Sequence, residues 1–328
     1  MKHFSTAVFW LLLSFVLPQV FTACSKSAEE EVPSDAPLIV FVTGDEEYRS
    51  EESMPMLARI VQRELGAKVK VCYSLDSAGI VAPNRTESIS GLEALETADL
   101  MVLFIRFRNL PDSQRAFISD YAESGRPMVG FRTATHAFYY EDSTRQFWND
   151  EWPTQVFGQQ WITHHGHFED GQAPLTQVSL LEGAEEHSIL HGLEEFDAFS
   201  WLYHVDGGEW SLAGDSAPLL YGHAIRSNHE AAGRLEQFPL DQPVAWTKTY
   251  TGNSGQSARV FFTTLGHPYD FKLESMRRLA LQGIYWALGQ ETAIPEDGLN
   301  VEVVGSYAPN NSGFGRIYKQ GLRPVLFE

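Results

Sequence analysis

In residues 126–138 a short apolar run is followed at once by small polar and charged residues. The apolar residues 128–131 predict a central parallel strand that ends in a tight turn, with a helix beginning near Thr135. Arg132 and His136 would then stand at the carboxyl edge of the sheet, where open α/β sheets bind ligands. This stretch therefore predicts both an architecture and the place of a site within it.

Other apolar runs repeat this design along the chain. Residues 37–44 and 98–105 are nearly all apolar, residues 69–74 alternate, and residues 258–271 place His267 and Asp270 at the end of another strand. Helical patterns separate the earlier runs, and strands that alternate with helices imply a parallel sheet with right-handed crossovers. We therefore predict an α/β fold with a three-layer, doubly wound, mostly parallel sheet.

The second half of the chain has a different pattern. Shorter strands are expected at residues 175–181, 218–223 and 243–249, where they either extend the sheet or cover its edge. An amphipathic helix at residues 274–288 closes the domain. We expect one globular domain over residues 37–290, followed by an extended arm over 291–328 because of its Gly, Asn and Pro content.

The amino terminus has the pattern of an export signal. Lys2 precedes an apolar run from Ala7 to Phe21 that is too short for a comfortable membrane span. The run ends at Cys24 in a sequence similar to a bacterial lipoprotein box. We predict a signal peptide over residues 1–23 and a polar tether over 24–36, hence an exported periplasmic or cell-envelope lipoprotein with a lipid on Cys24. Cleavage and release is the alternative.

Charge and cysteine content exclude several classes of function. The formal net charge is −19, which argues against nucleic acid or an anionic membrane surface as a partner, because phosphate binding needs basic patches. The membrane would be contacted only through the lipid anchor or signal peptide. Cys72 lies in an alternating strand and is expected to be a small core residue rather than a nucleophile. No internal disulfide is expected.

Histidines give the main chemical signal. His136 and His267 each follow a buried strand, and His164, His165 and His204 lie in segments that could cover the sheet edge. Imidazole changes charge near neutral pH, so these residues suit acid–base chemistry. They could instead hold zinc or another divalent metal, although no HExxH spacing is present. For the two strand-end histidines, a hydrogen-bonded structural role is the other alternative.

Arginines and carboxylates join the histidines at the same edge. Glu47 and Arg49 follow the first strand, Arg106 follows the third, and Arg132 follows the fourth. For Glu47 and Arg49 a solvated loop is the alternative. We expect the bend near residue 132 and the corner near residue 267 to face each other across one cleft.

Four ordered motifs carry a family resemblance. They are residues 43–53, 130–138, 164–166 and 264–271, and together they resemble the trehalose-utilisation (ThuA-like) family over about residues 37–290. The resemblance implies a flavodoxin-like fold similar to class I glutamine amidotransferases. In that fold the elbow that carries the nucleophilic cysteine falls here on Arg132. Arginine cannot form a thioester, so glutaminase activity should be absent.

The family's link to sugars oxidised to 3-keto forms implies the substrate class. A saccharide or 3-keto-saccharide would undergo isomerisation or eliminative cleavage, with His267 or His136 removing the proton next to the ketone. Arg132 or Arg106 would stabilise the enolate. A non-catalytic sugar-binding lipoprotein that uses the same cleft is the alternative.

Two further groups of residues complete this expectation. Glu47 or Asp270 would orient the catalytic histidine or return the proton. The substrate would be contacted by a second set of basic side chains, namely Arg49, Arg106, His164, His165 and His204.

Overall fold

The computed structural model describes residues 1–3, 35–166, 168, 171–206 and 211–327. The chain divides into two compact units, Met1–Glu31 and Val32–Glu328, and everything below concerns the second. Cys24 lies outside the described residues, so the export signal, the lipid anchor and the tether stay predictions. No helix in the described part of the chain is both long and apolar enough to cross a membrane.

The second unit contains five α-helices and eleven strands among its described residues. The helices are α1 (Ser50–Leu65), α2 (Asp112–Glu123), α3 (Gln146–Phe157), α4 (Asn228–Ala231) and α5 (Glu274–Ala287). The strands are β1 (Leu38–Gly44), β2 (Lys68–Cys72), β3 (Leu100–Ile105), β4 (Met128–Phe131), β5 (His164–His165), β6 (Thr176–Leu180), β7 (Phe196–Ala198), β8 (Leu202–Tyr203), β9 (Ala217–Ala224), β10 (Asp241–Thr251) and β11 (Ser257–Thr263).

Nine of the strands form one sheet in the order β2-β1-β3-β4-β11-β10-β9-β6-β7. Neighbours from β2 to β11 pair in parallel, and those from β11 to β7 pair antiparallel. The parallel half has the flavodoxin-like order, in which the connections reverse direction between β1 and β3. The predicted fold class is confirmed, and most of the later strands extend the sheet.

Helices cover both faces of this sheet. Leu57 of α1 and Ile284 of α5 belong to the core on one face, together with Phe41 of β1. Ile118 of α2 and Trp152 of α3 belong to the core on the other face. Successive strand residues point to opposite faces, so a parallel strand covered on both sides is apolar throughout. These helices and the sheet make the three predicted layers.

The prediction of a helix that begins near Thr135 was wrong. Residues 132–136 form a 3₁₀ turn, and the next α-helix begins at Gln146. The amides of Phe107 and Arg108 donate to the carbonyls of residues 136 and 137 at 3.0 and 2.8 Å, and the amide of residue 139 donates to Arg108 at 3.0 Å. Because this backbone pairs with the loop after β3, it cannot continue into a helix.

Two smaller expectations concern Cys72 and the arm. Cys72 is fully buried in β2, and burial raises the pKa of its thiol to about 12, which suits a core residue. From Gln290 to Phe327 the chain has one 3₁₀ turn, Glu291–Ala293, and otherwise neither helix nor strand. The domain boundaries and the extended arm over residues 291–328 stay predictions.

Candidate functional site

Ion pairs join the loops that follow β1 and β3, where the connections of the parallel sheet reverse direction. Arg106 and Arg108 both donate to the carboxylate of Glu46. Arg106 Nε also lies 3.1 Å from Glu47 Oε2. In a flavodoxin-like sheet this crevice is the expected ligand site. Sequence reasoning missed Glu46, although its place beside Glu47 in an acidic run was a signal.

Glu47 has an acidity suited to proton transfer near neutral pH. Burial raises the pKa of its carboxyl to about 7, although the positive charge of Arg106 acts in the opposite direction. Asp45 adds to the rise through its own charge, and its Oδ1 accepts hydrogen bonds of 2.7 Å from the amides of Glu47 and Tyr48. A carboxyl whose pKa lies near the working pH can both take and return a proton.

Arg132 is held as a fixed, fully buried positive charge at the end of β4. Its Nη1 donates to the carbonyls of Thr264 and Trp201 at 2.8 and 3.2 Å. Its Nη2 donates to the hydroxyl of Tyr48 at 3.0 Å. The guanidinium lies between two rings, 4.2 Å from Tyr48 and 4.4 Å from Tyr203. Sequence reasoning did not identify this tyrosine pair.

His267 lies beside Arg132 because β4 and β11 are parallel neighbours, but both side chains are fully buried, so they do not face each other across an open cleft as expected. A Cβ on Gly266 would be only 3.1 Å from Arg132 Cβ. The amide of Tyr269 donates to His267 Nδ1 at 3.0 Å, so the neutral ring carries its proton on Nε2. That nitrogen lies 3.0 Å from Ser312 Oγ. His267 is therefore placed as a hydrogen-bond donor rather than as a base, and it has no exposed surface.

Asp270 accepts hydrogen bonds from backbone amides of two segments. Its carboxylate accepts from the amides of Phe199 and Ser200 at 2.6 and 3.3 Å, and from those of Gly266 and His267 at 3.1 and 3.0 Å. It also accepts from the hydroxyl of Ser200 at 2.5 Å. The side chain is fully buried. This geometry favours positioning of the corner near residue 267 over proton transfer.

His136 is surrounded by aromatic rings in the turn that follows β4. Its ring centroid lies 4.9 Å from that of Phe107, 5.0 Å from Trp161 and 6.0 Å from Tyr203. Burial first, and then the positive charge of Arg106, hold the pKa of His136 well below its usual range. The imidazole is therefore neutral near pH 7 and can donate or accept a hydrogen bond.

The paired histidines of β5 point in different directions, as strand geometry requires. His164 stacks on Trp201, with ring centroids 4.6 Å apart, and so joins the aromatic rings of the site. His165 packs against His229 at 5.0 Å, and burial lowers its pKa to about 4. His204 packs against Phe238, with ring centroids 5.1 Å apart. For all three histidines the substrate-binding role stays a prediction.

Three strand-end residues adopt left-handed backbone conformations. They are Arg49 with φ 56° after β1, Phe107 with φ 45° after β3, and Arg132 with φ 39° after β4. Among the residues that the structure describes, no other non-glycine residue has a positive φ. Such strain persists where the surrounding structure enforces it, and it clusters at functional sites. All three mark the same edge of the sheet.

A metal centre finds no support among the described residues. In that part of the chain, no group of three or more His, Cys, Asp or Glu side chains is arranged to hold an ion. His167 lies outside the described residues. The predicted alternative of a zinc or other divalent metal site stays a prediction.

Comparison with known proteins agrees with this architecture. A thua-like protein from Parabacteroides merdae is 15% identical, with a TM-score of 0.50 over 87% of this chain and 99% of that chain, and it shows the shared fold alone. One from Bacteroides uniformis is 17% identical, with a TM-score of 0.49 over 78% of this chain and 93% of that chain. No curated protein matches. A family model described as ThuA, trehalose utilisation, matches residues 39–287, and the chain therefore belongs to that family.

Proposed function

We propose that the protein is a carbohydrate-processing enzyme that performs acid–base chemistry on a saccharide or 3-keto-saccharide. The observation that carries this proposal is the buried Glu47 carboxyl, whose pKa is raised to about 7 and which lies 3.1 Å from Arg106 in the crevice between β1 and β3. The family description, trehalose utilisation, supports a sugar as the substrate.

A 3-keto-glycoside would react by proton removal next to its ketone. The Glu47 carboxylate takes the proton from C2, and the electron pair forms the enolate of the C3 ketone. Arg106 and the neutral His136 stabilise the developing negative charge on oxygen. In eliminative cleavage the C1–O bond then breaks and Glu47 returns its proton to the leaving oxygen. In isomerisation the proton of the C2 hydroxyl moves to the C3 oxygen instead, and Glu47 returns its proton to C3, which gives the 2-ketone.

Aromatic rings beside His136 offer a surface for the sugar. Trp161 and Trp201 are half-buried, and each packs against His164, with ring centroids 6.0 and 4.6 Å away. The apolar face of a pyranose can pack on such rings while its hydroxyls reach the charged groups. Polar groups around an aromatic wall are the usual composition of a small-molecule site.

The proposal is tested by following 3-keto-glycosides and their parent glycosides by NMR in the presence of the purified protein. Glu47→Gln keeps the shape of the side chain but removes its acid–base function, so turnover should fall by about 10²-fold or more. Glu96→Gln is a matched control, because Glu96 is exposed and precedes β3. Full activity of Glu47→Gln would contradict the mechanism. Binding without conversion by the unaltered protein would instead support the sugar-binding alternative.

A further inference from the structure

Residues 305–327, here called the strap, lie across the carboxyl edge of the sheet. The hydroxyl of Tyr307 donates to the carbonyl of Pro268 at 2.9 Å. Further along, Ser312 meets His267 at 3.0 Å, and the amide of Gly313 donates to the carbonyl of Glu47 at 2.9 Å. The strap therefore contacts the loops after β11 and β1 directly over the candidate site.

The strap continues to the ends of two more strands. Arg106, after β3, lies 5.0 Å from the ring of Phe314. In the segment after β2, Asn84 Nδ2 donates to the carbonyl of Gly315 at 2.6 Å, and the amide of Val81 donates to the carbonyl of Leu322 at 2.8 Å. Four strand ends of the parallel half are thus bridged by one segment.

One carboxylate of α1 holds the strap electrostatically. Glu52 is almost fully buried and lies 2.5 Å from Lys319 Nζ. It also accepts from the amide of Asn310 at 3.3 Å. Glu52 in the first turn of a helix thus serves as an anchor for residues more than 250 positions further along the chain.

The strap has the properties of a removable cover. It contains neither helix nor strand, and its side chains at Phe314 and Ile317 are 55% and 44% exposed. Beneath it, Arg132 and His267 are 0% exposed. The strap's apolar contacts with the core are at Tyr307, Leu322 and Phe327, toward its two ends, and an exposed stretch between such contacts opens at lower free energy than a sheet core. No solute can reach His267 while the strap is in place.

We propose that the strap opens to admit a ligand, and that Ser312 fills the position beside His267 that a ligand hydroxyl takes. His267 carries its proton on Nε2 and so requires an acceptor oxygen. Ser312 supplies an aliphatic hydroxyl oxygen at 3.0 Å, and a sugar hydroxyl presents the same chemical group. The strap therefore competes with polyhydroxylated ligands for the position beside His267.

This arrangement links opening to affinity. A ligand that binds only when the strap is open has an apparent dissociation constant larger than its intrinsic one by the inverse of the open fraction. While the open state is rare, any change that raises its population tenfold should tighten apparent binding tenfold. The population of the open state and the apparent dissociation constant can be measured separately on the full chain.

The first measurement is modification of His267 by diethyl pyrocarbonate, followed by peptide mass spectrometry. The double variant Phe314→Ala/Lys319→Ala removes the ring over Arg106 and the ion pair with Glu52. It should accelerate modification of His267 by about tenfold. The matched control is Arg316→Ala/Gln320→Ala, which alters exposed strap residues that bond to each other. His165, 1% exposed but away from these strap contacts, reports on general loosening.

Selective acceleration at His267 supports the proposal. Equal rates in both double variants, or acceleration of His165 together with His267, would overturn it. Hydrogen exchange in the unaltered protein gives a second test, because the amide of Gly313 should exchange at least tenfold faster than the amides of β3. Exchange as slow as that of β3 would mean that the segment is a fixed part of the fold.

The second measurement rests on the proposed function and uses methyl 3-keto-glucoside in calorimetric titrations, with Glu47→Gln added to both proteins so that the ligand binds without turnover. Its apparent dissociation constant should fall in Phe314→Ala/Lys319→Ala by the same factor as the modification rate rises. Binding of equal strength to both proteins would overturn the competition while leaving the proposed function intact. Binding to neither protein counts against the proposed function and against Ser312 as a sugar mimic, whereas strap opening is decided by the modification rates.

Discussion

At the scale of single residues, burial determines what each ionisable side chain at the sheet edge can do. Glu47 and His136 are both buried beside Arg106, yet their pKa values move in opposite directions, because burial favours the neutral form of each. The carboxyl becomes a group that titrates near pH 7, whereas the imidazole stays uncharged. This difference is why we assign proton transfer to Glu47 rather than to a histidine.

The pH dependence of turnover should report on Glu47. A carboxyl must lose its proton to act as a base, so kcat/KM should rise as the pH passes through about 7. Arg106→Gln removes the positive charge that lowers this pKa, and the midpoint of the rise should therefore move to higher pH. Initial rates between pH 5 and 9 check both expectations. A midpoint near 4.5, or one that Arg106→Gln leaves in place, would contradict the assignment.

Glu51 should make folding stability depend on pH. Burial raises its pKa from 4.5 to about 8. The folded state therefore holds a proton that the unfolded state releases, and stability falls as the pH rises from about 4.5 to 8. Glu51→Gln removes this loss. Its free energy of unfolding relative to the unaltered protein should rise by roughly 3–5 kcal/mol between pH 5 and 9. Urea titrations measure the difference, which for the exposed Glu96→Gln control should stay constant.

At the scale of elements, the site depends on contacts between segments far apart in the chain. Asp270, just before α5, fixes the turn after β7 against the end of β11 through backbone amides. Trp201 in that same segment accepts a hydrogen bond from Arg132 and stacks with His164. Asp270 thus positions the segment that carries Trp201 and, through it, the stacking of Trp201 with His164.

Asp270→Asn should destabilise the fold by about 2–4 kcal/mol, because one carboxylate oxygen becomes an amide NH₂ that faces backbone donors. The pH midpoint of turnover should remain where it is in the unaltered protein, because Asp270 positions loops rather than transferring protons. Thermal or urea unfolding and pH–rate profiles provide the two readouts. Asp297→Asn, at an exposed position, is the control. A shifted midpoint would instead indicate a chemical role for Asp270.

At the scale of the whole molecule, the sheet could be predicted and the closure of the site could not. Buried parallel strands need apolar residues on both faces, so residues 98–105 and 37–44 identified β3 and β1 to within two residues. The contact between Ser312 and His267 joins positions 45 residues apart and leaves no local pattern. The false helix near Thr135 has the same origin, since pairing with a distant loop outweighed local preference.

The left-handed residues Arg49, Phe107 and Arg132 also bear on attempts to engineer the protein. Glycine adopts this conformation freely, whereas other residues lose roughly 1–2 kcal/mol in it. At Arg132, however, glycine would also remove three hydrogen bonds and leave two buried carbonyls without that donor, a loss larger than the strain that it relieves. A search for heat-tolerant variants that places glycine at every strained position would therefore lose stability and the positive charge of the site together.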